Sequence, residues 1–201
     1  MSIDSHTQRL VALTRHKGVV RTHEAEEVGI PRVVLSRLAA RGVLERVDRG
    51  LYRLADAPPP QDESLVAVAA RVPQAVFCLL TALQFHELTT QLPRQVWIAM
   101  PRGSHAPRMG YPPLRMVQFS GDAYEQGVEV HPRDGVALRV YGVAKTVADC
   151  FKMRHVVGLD VALEALREVR GHRRASADDI WQHAKVCRVA NVMRPYLEAI
   201  G

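Results

Sequence analysis

The stretch VGIPRVVLSRLAARGVLERVDRGLYRL, residues 28–54, decides the fold of the first part of the chain. Pro31 stands where a helix can begin at no loss, because the first-turn N–H has no partner inside a helix. Val34, Leu35 and Leu38 then recur at helical spacing and form one apolar stripe. Gly42 closes that helix, as a glycine just past the last turn does. Leu44–Val47 and Leu51–Leu54 alternate in polarity around Asp48-Arg49-Gly50, the chemistry of a tight hairpin. Upstream, Gly29-Ile30 ends a second helix that starts at Thr22, with Thr22 as its cap and Glu24 in its first turn. Val19-Val20 reads as a short extended segment. Ser5 with Gln8 fits a capping box for a first helix, whose apolar positions are Leu10, Val11 and Leu13 and whose end is Lys17-Gly18.

The order is helix, short strand, helix, tight turn, helix, two-stranded wing, which is that of a winged helix-turn-helix. With Val34, Leu35 and Leu38 facing inward, residues 33, 36, 37 and 40 share the opposite face at roughly 100° per residue. Such a face suits a DNA major groove. Arg32 and Arg37 offer guanidinium groups to guanine edges, Ser36 can meet a base edge or a phosphate, and Val33 can meet a thymine methyl. Arg41, a turn further on, suits phosphate. Arg49 at the wing tip, flanked by Arg46 and Arg53, can reach the backbone or an adjacent minor groove. Thr22, at a helix N-terminus, could present backbone N–H groups to a phosphate. Glu24, Glu26 and Glu27 argue against DNA contact along the body of the second helix.

Working outward, ADAPPPQD at 55–62 breaks the pattern, since three consecutive prolines continue neither a helix nor a central strand. The expected organisation is a DNA-binding domain over 1–55, a stiff linker over 56–62 and a larger domain over 63–201. Residues 1–55 carry ten Arg/Lys against six Asp/Glu, and the rest of the chain seventeen against fifteen, so the basic excess is concentrated in the smaller piece. The larger domain is expected to be α+β. Helical patterns cover 63–71, 79–88, 143–154, 160–169, 177–187 and 191–199. Strand-like runs cover Gln95–Met100, Leu114–Phe119, Val128–His131 and Val136–Tyr141. Ser176 with Asp179 repeats the capping-box signature. Arg102, His105 and Arg108 in the loop Pro101–Pro113, with Lys145, Lys152 and Arg154, would give a second basic face; scattered surface charge is the plainer reading of the same residues.

The 201-residue chain has a formal net charge of +6, and 23 of its 27 basic residues are Arg. Arg suits bidentate contacts to phosphate and guanine, although a GC-rich genome would also favour it. Cys78, Cys150 and Cys187 are widely spaced and odd in number, which speaks against a disulfide framework or zinc ribbon and for core thiols in a reducing compartment. No metal-ligand spacing, nucleotide P-loop or catalytic motif is evident, so no cofactor, metal or catalytic residue is expected. Asp149 and Lys152 form a D-x-x-K, which leaves a DNA-targeted nuclease as an alternative; a protein-interaction module on a winged-helix scaffold is another. No signal peptide or membrane span is apparent, and a soluble cytoplasmic protein is expected.

Residues 28–54 resemble the winged-helix region of the AbiEi-type antitoxins of type IV toxin–antitoxin (abortive infection) systems. The stretch VYGVAKTVADCFKMRHVVGLDVALEAL, residues 140–166, is similar to a later segment of the same family in its Val-Tyr start, its Lys-Thr-x-Ala-Asp core and its Gly-Leu-Asp-Val-Ala-Leu-Glu-Ala-Leu run. The resemblance implies an autorepressor that binds inverted repeats in its own promoter on double-stranded DNA through the third helix, Arg32 to Arg41, and the wing at Arg49. It also implies a C-terminal domain that opposes a nucleotidyltransferase toxin without a stable complex. Lys145, Thr146 and Asp149 match the family pattern and could equally be fold-forming.

Overall fold

A computed structural model describes residues 3–56 and 62–200. The prolines of the expected linker lie outside the described residues. The rest packs as two units. The first comprises residues 1–73 with 110–112 and 131–138, and the second comprises 74–109, 113–130 and 139–201.

The first unit begins with α1 (Ile3–Lys17), β1 (Val19–Arg21), α2 (Thr22–Glu27), α3 (Arg32–Ala40), β2 (Leu44–Asp48) and β3 (Leu51–Leu54). The three strands form one antiparallel sheet in the order β1-β3-β2. Leu10, Val20, Ala25, Ile30, Val34, Leu35, Leu38, Leu44, Tyr52 and Leu54 make its core. Burying this apolar surface is the main favourable term holding the helices to the sheet. Both α2 and α3 end in the same way. Ile30 N–H donates to the Ala25 carbonyl and Gly29 N–H to Glu26, while Val43 N–H donates to Leu38 and Gly42 N–H to Ala39. These are Schellman motifs, and they place Gly29 and Gly42 at φ +75° and +72°, a region costly for a residue with a Cβ.

Three expected helix starts differ in detail. α1 already runs through Ser5, so Ser5 is not its cap. The residue capping α2 is Arg21, whose N–H donates to Glu24 Oε2 at 2.7 Å, while Thr22 is the first helical residue. Pro31 stands just ahead of α3. The first unit also extends past the expected boundary at residue 55. It includes α4 (Glu63–Arg71), held by an Arg53–Glu63 ion pair at 3.2 Å and by the Arg21 guanidinium, which lies 3.5 Å from the Ala69 carbonyl. These ties, and the burial of Val66–Ala70, carry the packing across the proline run.

The remaining elements are β4 (Val76–Phe77), α5 (Leu79–Phe85), β5 (Val96–Pro101), β6 (Leu114–Phe119), α6 (Asp122–Glu125), β7 (Val128–Arg133), β8 (Val136–Tyr141), α7 (Val143–Lys152), α8 (Arg154–Val157), α9 (Leu159–Gly171), α10 (Ala177–Val186) and α11 (Ala190–Ile200). The sheet order is β6-β5-β4-β8-β7, with β4 parallel to β8 and antiparallel to β5, and β5 parallel to β6. Strands and helices mix as expected for an α+β chain. The β7–β8 turn, Asp134-Gly135, has φ +47° and +73°, matching a type I′ hairpin. Gly135 lies so close to the end of α1 that an added Cβ would sit 1.9 Å from the Lys17 carbonyl oxygen. This tip belongs to the first unit.

In the second unit α7 packs against α5, α9 and α10. Lys145 to Phe151 are buried without interruption, so this helix is enclosed on all sides.

Candidate nucleic-acid interface

The buried stripe of α3 is Val34, Leu35 and Leu38, which leaves Arg32, Val33, Ser36 and Arg41 exposed and Arg37 half-buried. Val33 is 57% exposed. Across the β2–β3 turn, Arg46 and Arg49 are exposed. Asp48 Oδ1 accepts the Arg49 N–H at 2.7 Å and fixes the turn. Gly50 O accepts the Thr22 N–H at 2.9 Å and the Thr22 hydroxyl at 3.2 Å, which ties the turn to the start of α2.

Two of the expected DNA contacts sit differently. The Thr22 N–H is taken by Gly50, so it is not free for a phosphate. Arg53 donates through Nε and a terminal nitrogen to Glu45 Oε2 at 2.9 and 2.7 Å and also pairs with Glu63, with its side chain 12% exposed. A guanidinium so enclosed by carboxylates holds β2, β3 and α4 together. Arg46 Nε donates to the Asp48 carbonyl at 3.3 Å and leaves its other donors outward.

Thr22, Arg32 and Arg49 also line a cleft of about 350 Å³ with Arg21, His23 and Arg71, where Glu26 and Asp48 supply the opposing charge. Sequence reasoning did not bring Arg21, His23 or Arg71 to this place. Arg71 sits beyond the proline run, and nothing in local spacing relates it to the hairpin.

The expected second basic face is only partly formed. Arg102, His105 and Arg108 are exposed in the β5–β6 loop, Lys152 is exposed at the end of α7, and Arg154 is half-buried, donating to the Phe151 carbonyl at 3.1 Å. Lys145 is not on a surface at all. It is fully buried, with Nζ 2.6 Å from both carboxylate oxygens of Asp149 and over the rings of Tyr141 and Phe119 at 4.0 and 4.9 Å. Neighbours enclose α7 on all sides, so a basic residue there must be paired internally. Cys187 donates its thiol to Asp149 Oδ1 at 3.2 Å. Burial and the Asp149 charge push that thiol up to about 12. Burial likewise raises the Asp149 carboxyl above its ordinary value, against the pull of Lys145. Thr146 Oγ1 donates to the Tyr141 carbonyl at 2.9 Å. The D-x-x-K pair is therefore not brought together for chemistry, since Asp149 is buried against Lys145 while Lys152 points outward. Cys78, Cys150 and Cys187 are all buried free thiols. Among the described residues, no three His, Cys, Asp or Glu side chains are grouped to hold a metal, and no helix is long and apolar enough to cross a membrane.

Comparison with known proteins gives the segment that carries this surface a likeness to one class, that of the transcriptional regulators. The family is more particular: residues 8–55 match the family model described as "Transcriptional regulator, AbiEi antitoxin". That match bears out the resemblance seen in residues 28–54, and residues 140–166 lie outside it. Among solved structures the chain is similar to the RV2827C protein from Mycobacterium tuberculosis, with a TM-score of 0.60 at 14% identity over 98% of this chain and 80% of that one, a likeness of fold. No curated protein matches the chain.

Proposed function

We propose that residues 1–55 are a winged helix-turn-helix that lays α3 in the major groove of double-stranded DNA, and that the protein is the autorepressor and antitoxin of a type IV toxin–antitoxin system. The observation that carries this reading is the exposed face of α3, where Arg32, Val33, Ser36 and Arg41 stand outward beside a basic hairpin, within the segment that matches the AbiEi regulators. Small and basic side chains on one helix face allow close approach and hydrogen bonding to base edges. Arg37, half-buried, reaches the groove from the flank of that face.

In this reading the protein binds inverted repeats in its own promoter. The larger part, 63–201, carries antitoxin activity against a nucleotidyltransferase toxin without a stable complex. Footprinting of the upstream DNA tests the first half. Protection of paired half-sites that fades steeply with salt is the expected result, and no protection at low salt would overturn it. Co-expression with a neighbouring nucleotidyltransferase tests the second: rescue of growth without co-purification is expected, and unrelieved toxicity would remove the antitoxin role.

A further inference from the structure

The basic side chains of the first unit divide into two groups. Arg53 is enclosed by Glu45 and Glu63, Lys17 is paired with Glu24 at 2.7 Å, and Arg9 donates to the Val28 carbonyl. Arg15, Arg32, Arg37, Arg41, Arg49 and Arg71, in contrast, have no side-chain hydrogen bond or ion pair among the described residues. Of these, Arg32, Arg49 and Arg71 line one cleft of about 350 Å³, together with Arg21. Four arginines with two opposing carboxylates, Glu26 and Asp48, leave an excess of two positive charges, which suits a phosphate group.

The cleft is held in shape from three sides. Thr22 fastens the β2–β3 turn through Gly50, and the turn carries Arg49. Arg32 opens α3, so the cleft adjoins the face assigned to base contacts. Arg71 ends α4, and Arg21 reaches the last turn of that helix at the Ala69 carbonyl. The C-terminal end of a helix carries partial negative charge, which would repel an anion. Arg21 and Arg71 stand at that end and reverse its sign. The 3.5 Å contact uses at most one of the five donors of Arg21.

We propose that this cleft grips a backbone phosphate of bound DNA, and that α4, through Arg71, is part of the DNA-binding surface although it lies outside the matched segment 8–55. The proposal rests on the DNA-binding reading given above and adds to it a contact that positions the protein without reading sequence.

The test uses the full chain, a duplex from the DNA upstream of its own coding sequence, and a scrambled duplex of equal length. Fluorescence anisotropy across a salt series gives affinity and salt slope for the native protein, R71Q, R71K and a control, K185Q, in the second unit. Neutralising one phosphate contact lowers the slope of log K against log salt by about 0.9, equivalent to about eightfold in affinity at 0.1 M salt. R71Q is expected to lose that much on both duplexes with their ratio unchanged, R71K to retain most of the slope, and K185Q to behave as native. Native affinity and slope in R71Q would overturn the proposal, and so would a change in the ratio, which would make Arg71 a reader of bases. Inorganic phosphate alone provides a further arm by calorimetry. Binding that R71Q abolishes, with DNA affinity intact, would make the cleft a free-anion site and refute the clamp. If the native protein binds neither duplex at low salt, the underlying DNA-binding reading fails, which is a different result from all of these.

Discussion

Arg37 and Lys145 are both basic residues on helices, and their surroundings give them opposite roles. Arg37 is partly exposed beside Val33 and Ser36, and Arg37→Ala should weaken binding to the operator by about 1–3 kcal/mol while leaving scrambled DNA nearly unaffected. Parallel titrations check it, and an equal loss on both sequences would reassign Arg37 to the backbone. Lys145 has no solvent, and its charge is tolerable only because Asp149 meets it at 2.6 Å. Lys145→Met would strand a buried carboxylate and should cost about 3–5 kcal/mol, whereas Lys145→Met with Asp149→Leu should recover most of that loss. Both tryptophans, Trp97 and Trp181, lie in the second unit, so urea unfolding followed by their fluorescence reads this effect where it occurs. His183 adds a pH dependence. Its Nδ1 is buried without a hydrogen-bond partner among the described residues, and burial first, then the Lys145 charge, lowers its pKa below the ordinary 6.5, with Asp179 pulling the other way. Below pH 6.5 the unfolded imidazole takes up a proton that the folded one refuses. The stability of the second unit should therefore fall as pH drops through 6.5 toward the folded value. His183→Gln should flatten that part of the curve, and an unchanged curve would exclude His183 as its source.

At the scale of elements, legibility followed locality. The α2–α3 turn, the hairpin around Asp48-Arg49-Gly50 and the capping box at Ser176, where Asp179 N–H donates to the hydroxyl at 3.0 Å, are each built within a few residues and could be read directly. β4 could not. It is two residues long, too short for any alternation, and takes its strand character from β5 and β8 on either side. The burial of α7 was equally hidden, because a Lys four residues from an Asp reads as a surface pair unless the neighbouring helices are known. The cleft at Arg71 was hidden for the same reason, since its walls are distant in sequence. The Asp134-Gly135 tip illustrates the energetics of such a long-range contact. Gly135→Ala would meet both a positive φ and the Lys17 carbonyl, and should destabilise the first unit by at least about 2 kcal/mol. Thermal unfolding followed by circular dichroism checks this, and a melting point within a degree of native would show that the tip relaxes freely.

For the whole molecule, charge placement predicts behaviour better than the net value of +6 does. Arg32, Arg41, Arg46 and Arg49 are exposed together around α3 and the hairpin. If about four phosphates are neutralised per copy, affinity should fall by roughly a hundredfold between 50 and 200 mM salt. Gel shifts across that range measure it, and a flat response would mean that these arginines do not meet the backbone.

The first unit is not continuous along the chain, since it recruits residues 131–138 to sit with residues 1–73. Synthesis runs from the N-terminus, so a ribosome must add about 65 more residues after Pro73 before that last piece exists. At ~5–20 residues per second this is a wait of several seconds. During that interval the nascent chain has the helices and hairpin of this unit but lacks the turn that closes against Lys17. The completed unit can form only once residue 138 has been added, so a product that stopped short of it would carry α3 without the finished body that supports it.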